Sequence, residues 1–291
     1  MRIGLVTDST AQLSADEREA LSEATGGLFA VVPLTVLIGG FASADGEVDA
    51  GHLCAKMTDG VEVTTSIATP AQFSDAYARL RENGAEAIIV VTMSAELSGT
   101  RDSAVKAAEA EDILVDVVDS RTTSAGLAGA LSVAMAGIRQ GLDVEWIAGT
   151  IADWCAAETR SVFAPGSLEH LRRGGRIGAA SSLLGRALQI VPVLGLSAGV
   201  VVPLARVRTR TKALEKIVSL AAQAAAEVAD PEDTVHVEVQ NAEGEMDTAD
   251  AELLSSRLRE LGFDSSFRTL STIITAHVGP GTVGVTVQTT P

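Results

Sequence analysis

Short runs of apolar, β-branched residues punctuate the chain, and the segments between them repeat their apolar positions with helical spacing. Ile88-Ile89-Val90-Val91 is the clearest run. A strand without polar alternation is one buried on both faces. The alanine-rich stretch that follows, to Ala110, reads as a helix, with Ser94, Ser98, Gly99 and Thr100 at the joint. Residues 2–6 and 114–118 read as strands that end in a similar way, in Thr7-Asp8-Ser9-Thr10 and Asp119-Ser120. Strands alternating with helices imply a mainly parallel sheet, whose strand carboxyl ends share one ligand-binding edge. The three joints should therefore converge. Short side chains there would let an anion reach backbone N–H groups that a helix cannot pair internally.

Local signals place further elements. Ser14 followed by Glu17 forms a capping box for a helix to about Ala24. Thr69 caps a helix opened by Pro70, with Phe73, Ala76, Tyr77 and Leu80 on one face and Gly84 at its end. Phe29 to Ile38 is a strand region bent at Pro33, and Asp45 to Asp59 reads as loop plus a short helix. Helices are expected over 125–140 and 144–157, which puts a boundary near residue 160. Beyond it come a short helix at 183–188 and two strands, 190–196 and 200–207, joined by Ser197-Ala198-Gly199. A long helix over 211–229, a strand over 235–239, a helix over 248–261 and strands over 271–276 and 283–289 complete the chain. The expected fold class is α/β with two α/β domains, 1–160 and 161–291. The first has a mainly parallel sheet flanked by helices, the second a mixed sheet with helices.

A length of 291 residues suits two cores, and 46% hydrophobic with 21% charged residues is an ordinary globular balance. A net charge of −16 opposes nucleic acid, whose phosphates it would repel. Cys54 and Cys155 lack neighbours at metal-ligand spacing and read as buried thiols. The apolar run from Ala187 to Val207 is broken by Pro192, Gly195, Gly199 and Pro203, so no membrane span is expected. The chain opens on a strand rather than a signal region, and the expected compartment is the cytoplasm.

Gly195-Leu196-Ser197-Ala198-Gly199 matches the nucleophile-elbow spacing of serine hydrolases, with His277 and Asp247 in suitable chain order. That elbow needs a helix after the serine, whereas Val200-Val201-Val202-Pro203 reads as a strand, so a hairpin turn is the better reading. No glycine-rich phosphate loop is present, which leaves independent nucleotide binding without support. His52, His170 and His236 are isolated and read as structural. Residues 168–212 hold eight basic residues (Arg172, Arg173, Arg176, Arg186, Arg206, Arg208, Arg210, Lys212) against Glu169 alone. In so acidic a chain this segment reads as a patch that meets something negative.

An ordered set of short motifs resembles the DegV family of bacterial proteins. The set is Thr7-Asp8-Ser9-Thr10-Ala11, Pro33-Leu34, Thr65-Ser66, Leu97-Ser98-Gly99-Thr100 with Ser103-Ala104, and Asp119-Ser120. It continues with Leu171-Arg172, Gly174-Gly175-Arg176-Ile177, Arg208-Thr209, Lys212-Ala213 and His277-Val278-Gly279-Pro280-Gly281. The resemblance implies a long-chain fatty acid held between two α/β domains, with carboxylate-binding loops in the first and a lid in the second. It assigns the carboxylate's donors to Thr65 and Ser98, with Ser66, Gly99, Arg176 and His277 as further ligand or partner contacts. It implies a non-enzymatic subunit, without a cofactor of its own, that presents the acid to an ATP-binding fatty acid kinase partner. A serine esterase using Ser197, or a sensor for another apolar acid, are the alternatives. One departure stands out: many members carry Thr-Ser-Gln-Pro where this chain has Thr65-Ser66-Ile67-Ala68. A tail of ~15 carbons at about 0.8 kcal/mol per buried methylene gives on the order of 10 kcal/mol before binding costs. Such a ligand would be worked on in place rather than released.

Overall fold

A computed structural model describes residues 1–183, 190–228, 234–243 and 248–290. The chain begins with β1 (Ile3–Asp8), α1 (Ala15–Ala24), β2 (Phe29–Val32), β3 (Thr35–Ile38) and β4 (Phe41–Ala44). Then come α2 (Ala50–Thr58), β5 (Val63–Ser66), α3 (Pro70–Glu82), β6 (Ala87–Thr92), α4 (Thr100–Ala108) and β7 (Leu114–Asp119). Helices α5 (Ala125–Arg139) and α6 (Val144–Ala157) precede β8 (Thr159–Ala164), α7 (Leu168–Gly174), β9 (Val191–Ser197) and β10 (Val200–Val207). The last elements are α8 (Arg210–Val228), β11 (Val235–Asn241), α9 (Ala249–Glu260), β12 (Ser265–Thr269), α10 (Thr272–Val278) and β13 (Val283–Thr289). Among the described residues no helix is long and apolar enough to cross a membrane.

Two compact units divide the chain. The first comprises residues 1–35 and 66–157, the second residues 36–65 and 158–290. In the first, the sheet order is β2-β1-β6-β7, and every pairing is parallel. Every residue of β1 and β6 is buried, as continuous apolar runs require when helices pack on the sheet. The carboxyl ends of the neighbours β1, β6 and β7 do share one edge, as the repeated strand endings imply.

The second unit is built on a six-stranded mixed sheet of order β10-β9-β8-β13-β11-β12, in which only the β11–β12 pair is parallel. Here apolar and polar residues alternate along the strands, yet β13 is buried throughout and β11 over most of its length. Val237 and Val239 of β11 and Val283, Val285 and Val287 of β13 pack against Leu214 and Ile217 of α8 and Leu254 and Leu258 of α9. The α/β class, with one parallel and one mixed sheet, is as the pattern implies.

Several expectations need correction. Residues 36–65, read as part of an N-terminal domain 1–160, group with the second unit instead. The reason is long-range bonding. β3 leaves β2 behind at Pro33-Leu34 and forms its own sheet, β4-β3-β5. The segment then bonds Thr272 through Asp45, the Ala242 carbonyl through Cys54, and His277 through Thr65. Residues 271–276, read as a strand from their β-branched side chains, form α10, because Ser271 caps the Ile274 N–H and Ile273, Ala276 and Val278 are buried. Strand β12 was not anticipated. The expected helix at 183–188 lies almost entirely outside the described residues, as do Arg186 and Asp247.

Candidate functional site

In the first unit, Asp8 is the fully buried organiser of the sheet edge. Its Oδ1 accepts from the Thr10 N–H (3.0 Å) and hydroxyl (2.6 Å), and its Oδ2 from the Met93 N–H (2.7 Å). Thr7 Oγ1 donates to the Val91 carbonyl at 2.8 Å, and Ser94 N–H to the Thr122 carbonyl at 2.9 Å. The ends of β1, β6 and β7 are thus tied together by polar groups that would be costly to bury unpaired.

Ser98 sits on this frame, buried, immediately before α4. Its Oγ lies 2.9 Å from Thr100 Oγ1 and accepts the Thr100 N–H at 3.3 Å. Gly99, the N-cap residue of α4, has no side chain to offer, so Ser98 does part of the capping. Gly99 is exposed, and Ile67 lies close to it: a Cβ built on Gly99 would stand 3.6 Å from Ile67 Cδ1. Ile67 therefore borders the Ser98 joint. Ser66 is exposed at the end of β5.

In the second unit a cavity of about 620 Å³ is walled by residues 60–65 and Met57 on one side. His170, Arg173, Gly174, Arg176, Ala276 and His277 form the remainder. Thr65 and His277 meet here, with Thr65 Oγ1 2.9 Å from His277 Nε2. Burial pushes the His277 imidazole down to about 4, and the Arg176 guanidinium nearby adds to the effect, so the ring is neutral at pH 7. A neutral imidazole has two tautomers. If Nε2 carries the proton it donates to Thr65, whose own hydroxyl hydrogen then remains available to a ligand; the other tautomer uses that hydrogen up.

The ring is held by close packing. A Cβ on Gly174 would stand 2.3 Å from His277 Nδ1, so only glycine lets α7 approach α10 this closely. Gly279 serves His170 in the same way, with a built Cβ 2.3 Å from the ring's Cδ2. The Arg176 guanidinium donates to the Gly174 carbonyl, which brings it beside the same backbone. His170, read as structural from its isolation, is a cavity-wall residue, and burial pushes its pKa down as well. Only its spacing to Arg173 and Gly174 within one short helix could have signalled that role.

The basic segment divides into paired and exposed charges. Arg172 and Arg173 both bind Glu169, at 2.6 and 2.8 Å, which holds that carboxyl down near 2. Arg210 bonds Asp250 at 2.7 Å and the carbonyls of Ala164 (3.2 Å) and Gly281 (2.6 Å), so it stitches the second unit together. Arg206, Arg208 and Lys212 are exposed. Ser197 ends β9 and β10 begins at Val200, with Ala198 and Gly199 at φ of 48° and 86°. That is a hairpin with the positive-φ geometry of a type I′ turn, not a strand-to-helix elbow.

Comparison with known proteins agrees with the fold. A family model described as "Uncharacterised protein, DegV family" matches residues 2–290. A DegV domain-containing protein of Streptomyces coelicolor is 38% identical over 290 residues, covering 98% of each chain. Another, of Deinococcus radiodurans, is 35% identical over 292 residues, covering 99% of each. Among solved structures, a fatty acid-binding DegV family protein of Thermus thermophilus superposes with a TM-score of 0.88 at 30% identity, covering 99% of this chain and 100% of that one. DegV of Bacillus subtilis, a fatty acid-binding protein, gives 0.83 at 26% identity and 99% coverage of both.

Proposed function

The chain belongs to the DegV family, and we propose that it binds a long-chain fatty acid and presents the carboxylate to an ATP-dependent kinase partner. The observation that carries the reading is the Thr65–His277 pair on the wall of a cavity that also holds Arg176. A hydroxyl oriented by a neutral imidazole, with a guanidinium in the same wall, suits an apolar acid with an anionic head. The fatty acid-binding relative of Thermus thermophilus supports the ligand class. Thr65 and Ser98 are the proposed carboxylate donors, and the phosphoryl chemistry is assigned to the partner because the sequence holds no phosphate loop.

Partner docking falls to the exposed Arg206, Arg208 and Lys212 rather than to the arginines engaged by Glu169. Esterase action through Ser197 has no favouring observation, since the elbow helix is replaced by β10.

Mass spectrometry of an organic extract of the purified chain tests the ligand. A co-purifying fatty acid is expected; its absence, with no thermal shift on adding palmitate, overturns the reading. Thr65→Ala with Ser98→Ala should weaken palmitate binding by about 100-fold or more, at about 1.5–3 kcal/mol per hydrogen bond to a charged group. Unchanged affinity in a folded double variant would show that these hydroxyls are not the donors.

A further inference from the structure

The segment 36–65 meets α10 at both ends of that helix. At the start, Asp45 Oδ1 accepts the Thr272 N–H at 3.0 Å and the Thr272 hydroxyl at 2.6 Å. Near the finish, Thr65 meets His277. Between these points α2 packs along α10. Thr272 and His277 lie about 7.5 Å apart along the axis, at 1.5 Å rise per residue. The bond to Thr65 and the packing of the ring against Gly174 hold the helix near its C-terminal end. A second anchor at the other end fixes its rotation and its axial position.

Asp45 is costly for a mere cap. It is only 9% exposed, and burying a carboxylate carries a desolvation penalty that its hydrogen bonds must offset. Moreover Ser271 already caps the Ile274 N–H of α10. What Asp45 adds is a tie between α10 and the segment that ends in Thr65, with a negative charge placed favourably at the helix N-terminus.

We propose that Asp45 is a positioning residue for the acid-binding hydroxyl: by anchoring the first residue of α10 it holds the His277 ring where it meets Thr65. The proposal rests on the reading of Thr65 as a carboxylate donor. It concerns neither catalysis nor ligand contact, because Asp45 acts through Thr272 and α10. Asp45→Asn retains an oxygen acceptor for both Thr272 groups, whereas Asp45→Ala removes it.

The test combines palmitate titration of the full chain after lipid extraction with NMR of the His277 imidazole. Asp45→Ala should raise the palmitate Kd about tenfold and shift the His277 ring nitrogen signals, while Asp45→Asn stays within about threefold with signals near wild type. Thr272→Val, which deletes only the hydroxyl bond, should fall between them and serves if the alanine variant does not fold. Unmoved His277 signals in folded Asp45→Ala or Thr272→Val would overturn the proposal, as would palmitate affinity unaltered while Thr65→Ala weakens it. If Thr65→Ala itself leaves affinity unaltered, the donor reading fails, and the His277 signals still decide whether Asp45 positions the ring.

Discussion

Ser98 and Thr65 share the proposed role of carboxylate donor, yet the two units hold them by opposite means. Ser98 is fixed by its own neighbourhood: its partners are the N–H and hydroxyl of Thr100, two positions away, at the start of the helix it helps to cap. Thr65 is fixed from afar, by His277, 212 positions on, whose ring is itself wedged against Gly174. A locally capped hydroxyl is an inexpensive, robust donor whose geometry follows from the strand-to-helix joint. A hydroxyl oriented by a packed imidazole depends on three separate segments and is vulnerable at each. The Thr65 side should therefore respond to pH and to distant substitutions, and the Ser98 side should not.

The largest expected effect is that of acid. Because burial holds the folded His277 near 4 against 6.5 in the unfolded chain, the unfolded state takes up this proton first as pH falls. The stabilisation is complete above pH 6.5, declines between pH 6.5 and about 4, and on the order of 3 kcal/mol is lost by the lower limit. His170, also shifted down, contributes in the same direction below 6.5. Urea unfolding at pH 7, 5.5 and 4.5 should show the decline, and His277→Gln should remove its own share. A His277→Gln variant with the wild-type pH slope would mean that the ring is not buried as described.

A pair of glycine substitutions sets the two sides directly against each other. Gly174→Ala places a methyl group 2.3 Å from His277 Nδ1, so the ring must move or α7 must retreat. Overpacking of this kind costs about 1–3 kcal/mol, and loss of the Thr65 contact should weaken palmitate binding roughly tenfold. Gly99→Ala meets only Ile67 Cδ1, at an ordinary 3.6 Å, with Gly99 at a φ of −74° that alanine accepts. Its stability should stay within about 0.5 kcal/mol of wild type. Equal losses in the two variants would erase the distinction between local and long-range support.

That same distinction decides what could be read from the sequence. The capping box at Ser14, the cap at Thr69, the buried runs of β1 and β6 and the joint at Ser98 are contiguous signals, and each appears in the structure where its spacing places it. The parallel sheet, and hence the shared edge of β1, β6 and β7, follows from alternation alone. What was not legible is what the chain assembles from separated pieces. Nothing near Val36 announces that residues 36–65 leave the first unit, because the cause lies in Thr272, Ala242 and His277. Likewise Gly174 reads as one of two adjacent glycines until His277 is found against it. The β-branched residues of α10 favour a strand by propensity, and packing overrides them. The basic segment shows the same: Arg210 and Arg172 look alike in a charge count, and only the fold separates a structural tie from an exposed charge.

The smallest effect is expected at Ile67. It is 39% exposed, and a Cβ built on Gly99 would stand 3.6 Å from its Cδ1. Replacing it by glutamine removes part of an apolar contact and adds a polar end that reaches water. The cost should be within about 0.5 kcal/mol, because a substitution on an exposed surface away from caps and buried bonds rarely exceeds that. The Ser98–Thr100 bonds do not involve residue 67, so palmitate affinity should also hold, to within about twofold. Thermal unfolding and palmitate titration of Ile67→Gln beside Gly174→Ala make the comparison. A tenfold change in affinity from Ile67→Gln with unaltered stability would mean that the joint in the first unit is as finely set as the Thr65–His277 pair. Local capping would then not be what holds Ser98 in place.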